Sequence, residues 1–479
     1  MPKVKEFMRS NWQYFLLVFV VVATYFGSLR NEFVSDDIHT FVKNTNIQTY
    51  TGLSFMEKIG IQNLIYHFSF KYFGLNPTPL HILSLVLHAL NVILFYNFAK
   101  LLFDRKISLS SALLFAVHPL NSETVLWVSA VNYLFCFLSY IVITKLYLKA
   151  KNLTSLILPL SIYAVLLVLG RNVWMTLLPL VLLFAALISG GKPIKEVAKG
   201  LSLFFLVSLV GFFVLFRGLY VGRTSYIRQI NEGVDARMLK FSIPYSIGST
   251  AKLLVYPQNL TLYHEGEFAL PSFVKASRLI LGALIILELY LFVKQRKLFY
   301  VSAMIFVSIL PSLSPIRVSN FFAERYVYFG NAFFCILISY LFAYVAKKAK
   351  STELFYIFMF VLALVYSSKT LIRSAEWKNP IVFWEATVRE SSNSSGAFNN
   401  LGIEYVRVGR FNDALIQFQK SVAINPRVPD AQYNIGKILL VGGRYDMAEP
   451  YLLNALKLSP NEQKIIDAVN TLNAKKQGL

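Results

Sequence analysis

An all-α fold is predicted for this chain: a polytopic membrane helix bundle of about eleven spans, followed by an α-solenoid of short helical repeats. The prediction rests on composition, on apolar runs that recur through the first three-quarters of the chain, and on a 34-residue period near its C-terminal end. Hydrophobic residues make up 56% and aromatic residues 15% of the 479 positions, and the mean hydropathy is +0.54. Such a chain is not a soluble enzyme. The formal charge of +22 does not imply a nucleic-acid partner, because Lys and Arg sit in short clusters between apolar runs, as cytoplasmic loops do. Cys136 and Cys335 both lie inside apolar runs, so no disulfide framework is expected.

The elements follow in order. Lys3, Lys5 and Arg9 precede the first apolar run, Trp12–Leu29, which is long and lacks a small-residue cleavage site; it reads as an uncleaved signal anchor with the N-terminus cytoplasmic. Further spans are expected at Pro79–Phe103, Ile107–Val117, Val125–Leu148, Leu153–Leu169, Val173–Ser189 and Leu201–Phe216. Phe241–Tyr256 carries Ser242, Ser246, Ser249, Thr250 and Lys252 and is expected to be interfacial or re-entrant. Treated so, it leaves spans at Ala276–Val293, Leu298–Leu313, Tyr326–Val345 and Leu354–Leu371, with every Lys-dense cluster on one side of the membrane. The membrane domain is taken as residues 1–372. The C-terminal domain, 373–479, then falls on the extracytoplasmic side.

Within that second domain Leu401, Gly402, Tyr405, Gly409, Arg410, Ala414, Phe418 and Pro426 are matched 34 positions later by Ile435, Gly436, Leu439, Gly443, Arg444, Ala448, Leu452 and Pro460. Small residues where paired helices touch, large ones between them and a closing proline make the tetratricopeptide pattern. It predicts a half-repeat at 380–392, repeats at 395–428 and 429–462, and a capping helix at 463–475. A groove of such repeats takes extended peptide, which points to a protein or peptide partner.

Chemistry is sought in the short polar loops. Asp36 and Asp37 sit in NEFVSDDIHTFVKNTN, just past the first span, where adjacent carboxylates suit proton abstraction from an acceptor hydroxyl or a divalent metal ligand. A solvated loop with a helix N-cap accounts for the same pair. Arg171, Arg217, Arg223, Arg228, Arg317 and Arg325 fall on the outer face, against the usual bias, and a phosphate-bearing lipid would engage them; headgroups or nearby carboxylates also would. Glu324-Arg325 precedes a span. His81 and His88 stand seven apart on one face of the second span, a spacing that fits packing as well as metal binding. His118, Asn121 and Glu123 cap the third. No Gly-rich phosphate loop, HExxH or Ser/His/Asp set occurs, which favours a lipid-linked donor over a soluble nucleotide sugar.

Several of these stretches resemble one family, the transmembrane-and-tetratricopeptide protein O-mannosyltransferases and their bacterial relatives, which are GT-C glycosyltransferases. FVSDDIHTFVKN resembles the first-loop F-V-x-D-D pattern, LHILSLVLHALNVILF the second-span stretch with its two histidines, LLFAVHPLNSETVLWVSA the LLFAVHPIHTEAV segment, and FFAERYVYF the AER-x-x-Y motif. The chain departs from the family at Arg171-Asn172, where Lys-Glu is usual, and at Ile61-Gln62-Asn63, where Arg-Pro is usual. The resemblance implies a polyprenyl-phosphate sugar donor and inverting transfer on the extracytoplasmic side, with Asp36 or Asp37 as base, Arg325 toward the donor phosphate, and His118 and Glu123 near the site. Beside these, the outer-face Arg171 and Arg223 are expected to join Arg325 at the donor phosphate, Glu324, His81 and His88 are expected in support, and the chain is expected in the plasma (inner) membrane. The resemblance does not settle whether a metal takes part. A lipid or surface-glycan acceptor, or a membrane-anchored repeat scaffold without chemistry, stand as the alternatives to transfer onto protein Ser/Thr.

Overall fold

The computed structural model describes residues 2–53, 55–152, 154–170, 172–189, 194–222, 236–264, 271–313 and 322–477. It divides into two compact units, one of residues 1–260 and 271–378, the other of 261–270 and 379–479.

In the first unit α1 is Pro2–Tyr25, α2 Ile61–Phe73, α3 Thr78–Ala99, α4 Arg105–Val117, α5 Val131–Lys149, α6 Ile157–Gly170, α7 Leu178–Ser189, α8 Ile194–Gly222, α9 Ala236–Val255, α10 Pro271–Lys294, α11 Arg296–Ile309, α12 Tyr328–Lys348 and α13 Thr352–Glu376. Among the described residues seven helices are long and apolar enough to cross a bilayer: Ser10–Arg30, Thr78–Ala99, Val128–Lys149, Val197–Val214, Lys275–Lys294, Glu324–Lys348 and Thr352–Glu376. The chain is an integral membrane protein. The other runs read as spans form shorter helices. α4, with 13 residues, is only about 20 Å long at 1.5 Å per residue. It is buried among its neighbours, Ser108, Ser111, Ala112, Leu114 and Phe115 included. The run taken as interfacial or re-entrant belongs to α9, which carries Pro244 within it.

α4 packs on α3, α12, α1 and α13, and α3 packs on α5. Their shared centre is aromatic: Phe95, Phe115, Phe137, Tyr328 and Phe333 meet at 5–6.5 Å, mostly edge to face. Such offset pairs add about 0.5–1.5 kcal/mol each beyond the area they bury. α11 and α12 approach closely at Gly330, where a Cβ would stand 2.4 Å from Ser308 Oγ and 3.2 Å from the Ile305 backbone. α4 starts on Asp104, whose carboxylate accepts from Ile107 N at 2.9 Å, and α13 on Ser351, whose Oγ accepts from Leu354 N; each cap satisfies an orphan helix donor.

The second unit holds α14 Pro380–Glu390, α15 Ser395–Arg407, α16 Phe411–Ile424, α17 Pro429–Val441, α18 Tyr445–Leu458 and α19 Gln463–Lys476. The 34-residue period becomes packing here. Ala414 and Ala448 are fully buried, as are Phe418 and Leu452. Gly402 and Gly436 give Phe418 and Leu452 their space, since a Cβ at either would meet that side chain at about 2.5 Å. Gly409 and Gly443 turn the chain with φ of 78° and 71°, where only glycine is unstrained. A segment from outside the repeats completes the unit: Tyr263 stacks on Trp384 at 5.9 Å, and Ser391 Oγ donates to the Tyr263 carbonyl at 2.6 Å.

Candidate active site

The loop after α1 is short and irregular. Ser35 adopts φ of 54°, a left-handed conformation that costs a non-glycine residue about 1–2 kcal/mol. This kink opens a helical turn that sends Asp36 and Asp37 in different directions. Asp36 is exposed, and among the described residues no hydrogen bond or ion pair engages its carboxylate. Asp37 is 1% exposed. Its Oδ1 accepts from the Ser129 backbone N–H at 2.9 Å and from the Ser129 hydroxyl, and its Oδ2 accepts from Val34 N at 3.3 Å.

Around that anchor lies a polar network. The Ser129 hydroxyl is 3.3 Å from both Thr40 Oγ1 and Tyr66 OH. Gln62 Nε2 donates to Tyr66 OH at 2.9 Å, and Asn132 Nδ2 donates to Gln62 Oε1 at 2.7 Å. Beneath it Phe33, Phe41, Ile47, Tyr66, Leu80 and Val128 form an apolar floor. Burial, only partly opposed by the bonds from Ser129 and Val34, raises the Asp37 carboxyl from its usual 3.8 to about 7. Burial and the Asp37 charge likewise push the Tyr66 phenol up.

The raised carboxyl has a consequence for stability. Between 3.8 and about 7 the folded chain holds the Asp37 proton more tightly than the unfolded chain. Stability therefore falls as pH rises through that window and levels off above it. The expected result is a melting temperature that drops from about pH 5 to about pH 8 more steeply in the wild type than in Asp37→Asn. Equal slopes would show that the carboxyl titrates normally.

The segment from His118 to Ala130 is the spine of the site, because it carries Ser129 at one end and Glu123 in its middle. Glu123, 1% exposed, forms a buried ion pair with Arg325, and its Oε2 also accepts from the Arg325 backbone N–H at 3.2 Å. The Arg325 guanidinium lies over the Trp127 and Tyr326 rings at 5.1 and 4.9 Å. Arg325, expected to face a donor phosphate, thus has its charge met by Glu123 and its planar faces by aromatic rings. Glu324 is fully buried next to it in sequence.

Neither His88 nor His118 has a ring nitrogen to spare. His88 Nε2 donates to the Ala116 carbonyl at 3.2 Å, which leaves Nδ1 to accept from Tyr328 OH at 2.8 Å. His118 Nε2 donates to the Leu254 carbonyl at 3.3 Å while Nδ1 accepts from Leu120 N at 3.2 Å. His81 is buried on the first turn of α3. Arg171 and Arg223 lie outside the described residues. Among those described no three His, Cys, Asp or Glu side chains gather in one place. Ser129, Tyr66, Gln62, Asn132 and Thr40 had no signal of their own in the sequence, although Ser129 lies within the LWVSA stretch and Gln62 stands where the family carries Arg-Pro.

The chain is 25% identical to the mouse protein O-mannosyl-transferase TMTC3 over 93% of its length, 24% identical to the human TMTC3, again over 93%, and 22% identical over 97% to the Caenorhabditis elegans protein O-mannosyl-transferase F38B6.6. Over most of its length the chain is thus similar to proteins named protein O-mannosyl-transferases. It spans about half the length of the TMTC3 relatives, 54% of the mouse and 55% of the human protein, and 65% of the worm relative. Residues 429–462 match the tetratricopeptide-repeat model. Among solved structures, an Archaeoglobus fulgidus oligosaccharyltransferase tethered to an acceptor peptide aligns with TM-score 0.40 and 13% identity, over 78% of this chain and 56% of that one.

Proposed function

We propose that the chain is a GT-C glycosyltransferase that moves a hexose, mannose being the choice its relatives suggest, from a polyprenyl-phosphate donor to a Ser or Thr hydroxyl of a protein acceptor on the extracytoplasmic side of the plasma membrane. The observation that carries this reading is the division of labour between two adjacent carboxylates, one open and one buried, on a loop at the end of a membrane span. Asp36 takes the proton of the acceptor hydroxyl. The acceptor oxygen then bonds to the anomeric carbon as the bond from that carbon to the phosphate breaks, and polyprenyl phosphate leaves with the electron pair. Attack opposite the leaving phosphate inverts the anomeric centre. Asp37 never meets substrate; its bonds to Ser129 and Val34 fix the loop so that Asp36 is presented in one orientation. Arg171 and Arg223 remain the residues assigned to the donor phosphate, while the Glu123–Arg325 pair braces the spine. Any divalent ion would arrive with the donor phosphate. The seven described helices long and apolar enough to cross a bilayer are more than a scaffold needs for an anchor.

The repeats serve as the acceptor-binding arm. Ile403, Val406, Phe411, Leu415 and Lys437 line a cleft of about 440 Å³ within them, a size and apolar character suited to side chains of an extended polypeptide. Mass spectrometry of membrane and exported proteins tests the reading. Hexose-bearing Ser/Thr peptides are expected in cells that carry the chain and absent from cells without it. Loss of a sugar from glycolipid alone would favour the lipid or surface-glycan acceptor instead.

A further inference from the structure

The helix that carries Gln62 and Tyr66 into the carboxylate network has a second face with no part in it. On that face Leu64, Ile65, Phe68 and Tyr72 of α2, with Leu80 and Leu83 of α3, enclose an almost wholly apolar groove of about 320 Å³. The turn that closes it is built for a sharp reversal: Gly74 ends α2 with φ of 62° and donates to the Phe70 carbonyl at 2.8 Å, and Pro77 and Pro79 then open α3. Phe68, Tyr72 and Phe73 are 49, 68 and 56% exposed. Three large aromatic side chains are thus left open on one short helix beside a membrane span.

We infer that this groove holds the isoprenoid chain of the lipid-linked donor. The inference rests on the transferase reading above and adds to it where the donor's tail lies. The geometry on both sides limits the occupant. The far wall is the first turns of a membrane span, and the same helix leaves Ile82, Val86 and Leu90, spaced by four along α3, 46, 49 and 43% exposed. An occupant leaving the groove therefore continues along a lipid-facing stripe, which suits a hydrocarbon chain. A peptide does not suit it, because its backbone amides would go unsatisfied there. The near wall is continuous with the site. Ile65 packs against the apolar floor beneath the Asp37 loop, and Leu80 belongs both to that floor and to the groove. A chain seated here has its head where α2 turns Gln62 and Tyr66 toward Ser129, so the lipid whose chain binds is the one whose phosphate is at the carboxylates. An ordinary bilayer lipid has no reason to be preferred there.

The experiment uses the full chain in dioleoyl phosphatidylcholine liposomes with a diazirine-bearing farnesyl phosphate as probe. Photolysis followed by peptide mass spectrometry is expected to place the label on residues 64–72 and 80–86. Unlabelled farnesyl phosphate should displace it about tenfold better than oleyl phosphate, which has the same headgroup on an unbranched chain. Label found elsewhere, or equal displacement by the two phosphates, overturns the inference; equal displacement means that any acyl chain fills the groove. As a second measurement, Leu83→Trp narrows the groove, whereas Leu364→Trp enlarges an exposed side chain of α13 that lines no part of it. With a polyprenyl-phosphate hexose as donor, Leu83→Trp should raise the donor KM about tenfold with kcat kept, and Leu364→Trp should leave both unchanged. Equal effects of the two variants count against the groove. The two readings fail separately. Specific labelling in a chain that transfers no sugar would sink the transferase reading and leave the groove, whereas sugar transfer with an unlabelled groove would do the reverse.

Discussion

Asp36→Asn is expected to lower sugar transfer by about 10²–10⁴-fold, the usual worth of a positioned general base, while the chain reaches the membrane in wild-type amount. The expectation follows from placement. Asp36 is exposed and makes no bond that the fold depends on, so the amide costs little stability, yet it cannot take a proton. Asp37→Asn behaves differently. The amide keeps an acceptor oxygen for Ser129 but puts an NH₂ group into a site built of donors, so the loop loosens and Asp36 is misaimed. A loss of about 10²-fold fits a catalytic group displaced by an ångström, and it should come with faster proteolysis or hydrogen exchange across residues 31–43. Separate measurement of donor KM and kcat discriminates the two: both variants lose kcat, but only Asp37→Asn changes loop protection. If Asp37→Asn alone is dead and Asp36→Asn is active, the roles are reversed.

Glu123→Gln is expected to be the most destabilising single change in the membrane unit. It removes the countercharge from a guanidinium that is 8% exposed and leaves that charge buried, which costs about 3–5 kcal/mol. The double variant Glu123→Leu with Arg325→Met removes both charges and fills the space with apolar atoms, so it should recover most of that loss. Thermal unfolding followed by size-exclusion chromatography in detergent gives the comparison. The result would contradict the account if the single variant melted with the wild type, because the pair would then be solvated. A stable double variant that still transfers sugar would show that the pair braces the spine without touching substrate. One that is stable but inactive would return Arg325 to the donor phosphate.

Much of the architecture could be read from residues alone, for physical reasons that differ between the two units. In the repeats, each position of the 34-residue period has one packing duty. Ala414 and Ala448 must be small, and Gly402 and Gly436 must leave room for Phe418 and Leu452, so the pattern shows in the residue types. In the membrane unit, apolarity does not separate a helix that faces lipid from one buried among helices. α4 shows this: its 13 residues are as apolar as a run that faces lipid, yet most of them are buried among helices. Which residues carry charge was legible; which charges meet was not. Arg325 stands 202 residues from Glu123, and Ser129 stands 92 residues from Asp37, separations at which a single sequence carries no trace of contact. The contrast between Asp36 and Asp37 was invisible for the same reason, since it arises from a kink at Ser35 and from a serine supplied by the turn before α5. The segment around Tyr263 that joins the repeat unit gave no sign either, because a stacked tyrosine and two hydroxyls have no periodicity.

The most direct test is a side-by-side assay of purified wild type and Asp36→Asn, each in liposomes with a radiolabelled polyprenyl-phosphate hexose and a Ser/Thr-rich acceptor polypeptide. The wild type should label the polypeptide, Asp36→Asn should give nothing above background, and the vesicles should retain the two proteins equally. Equal labelling by both, or label recovered only in lipid, would contradict this expectation.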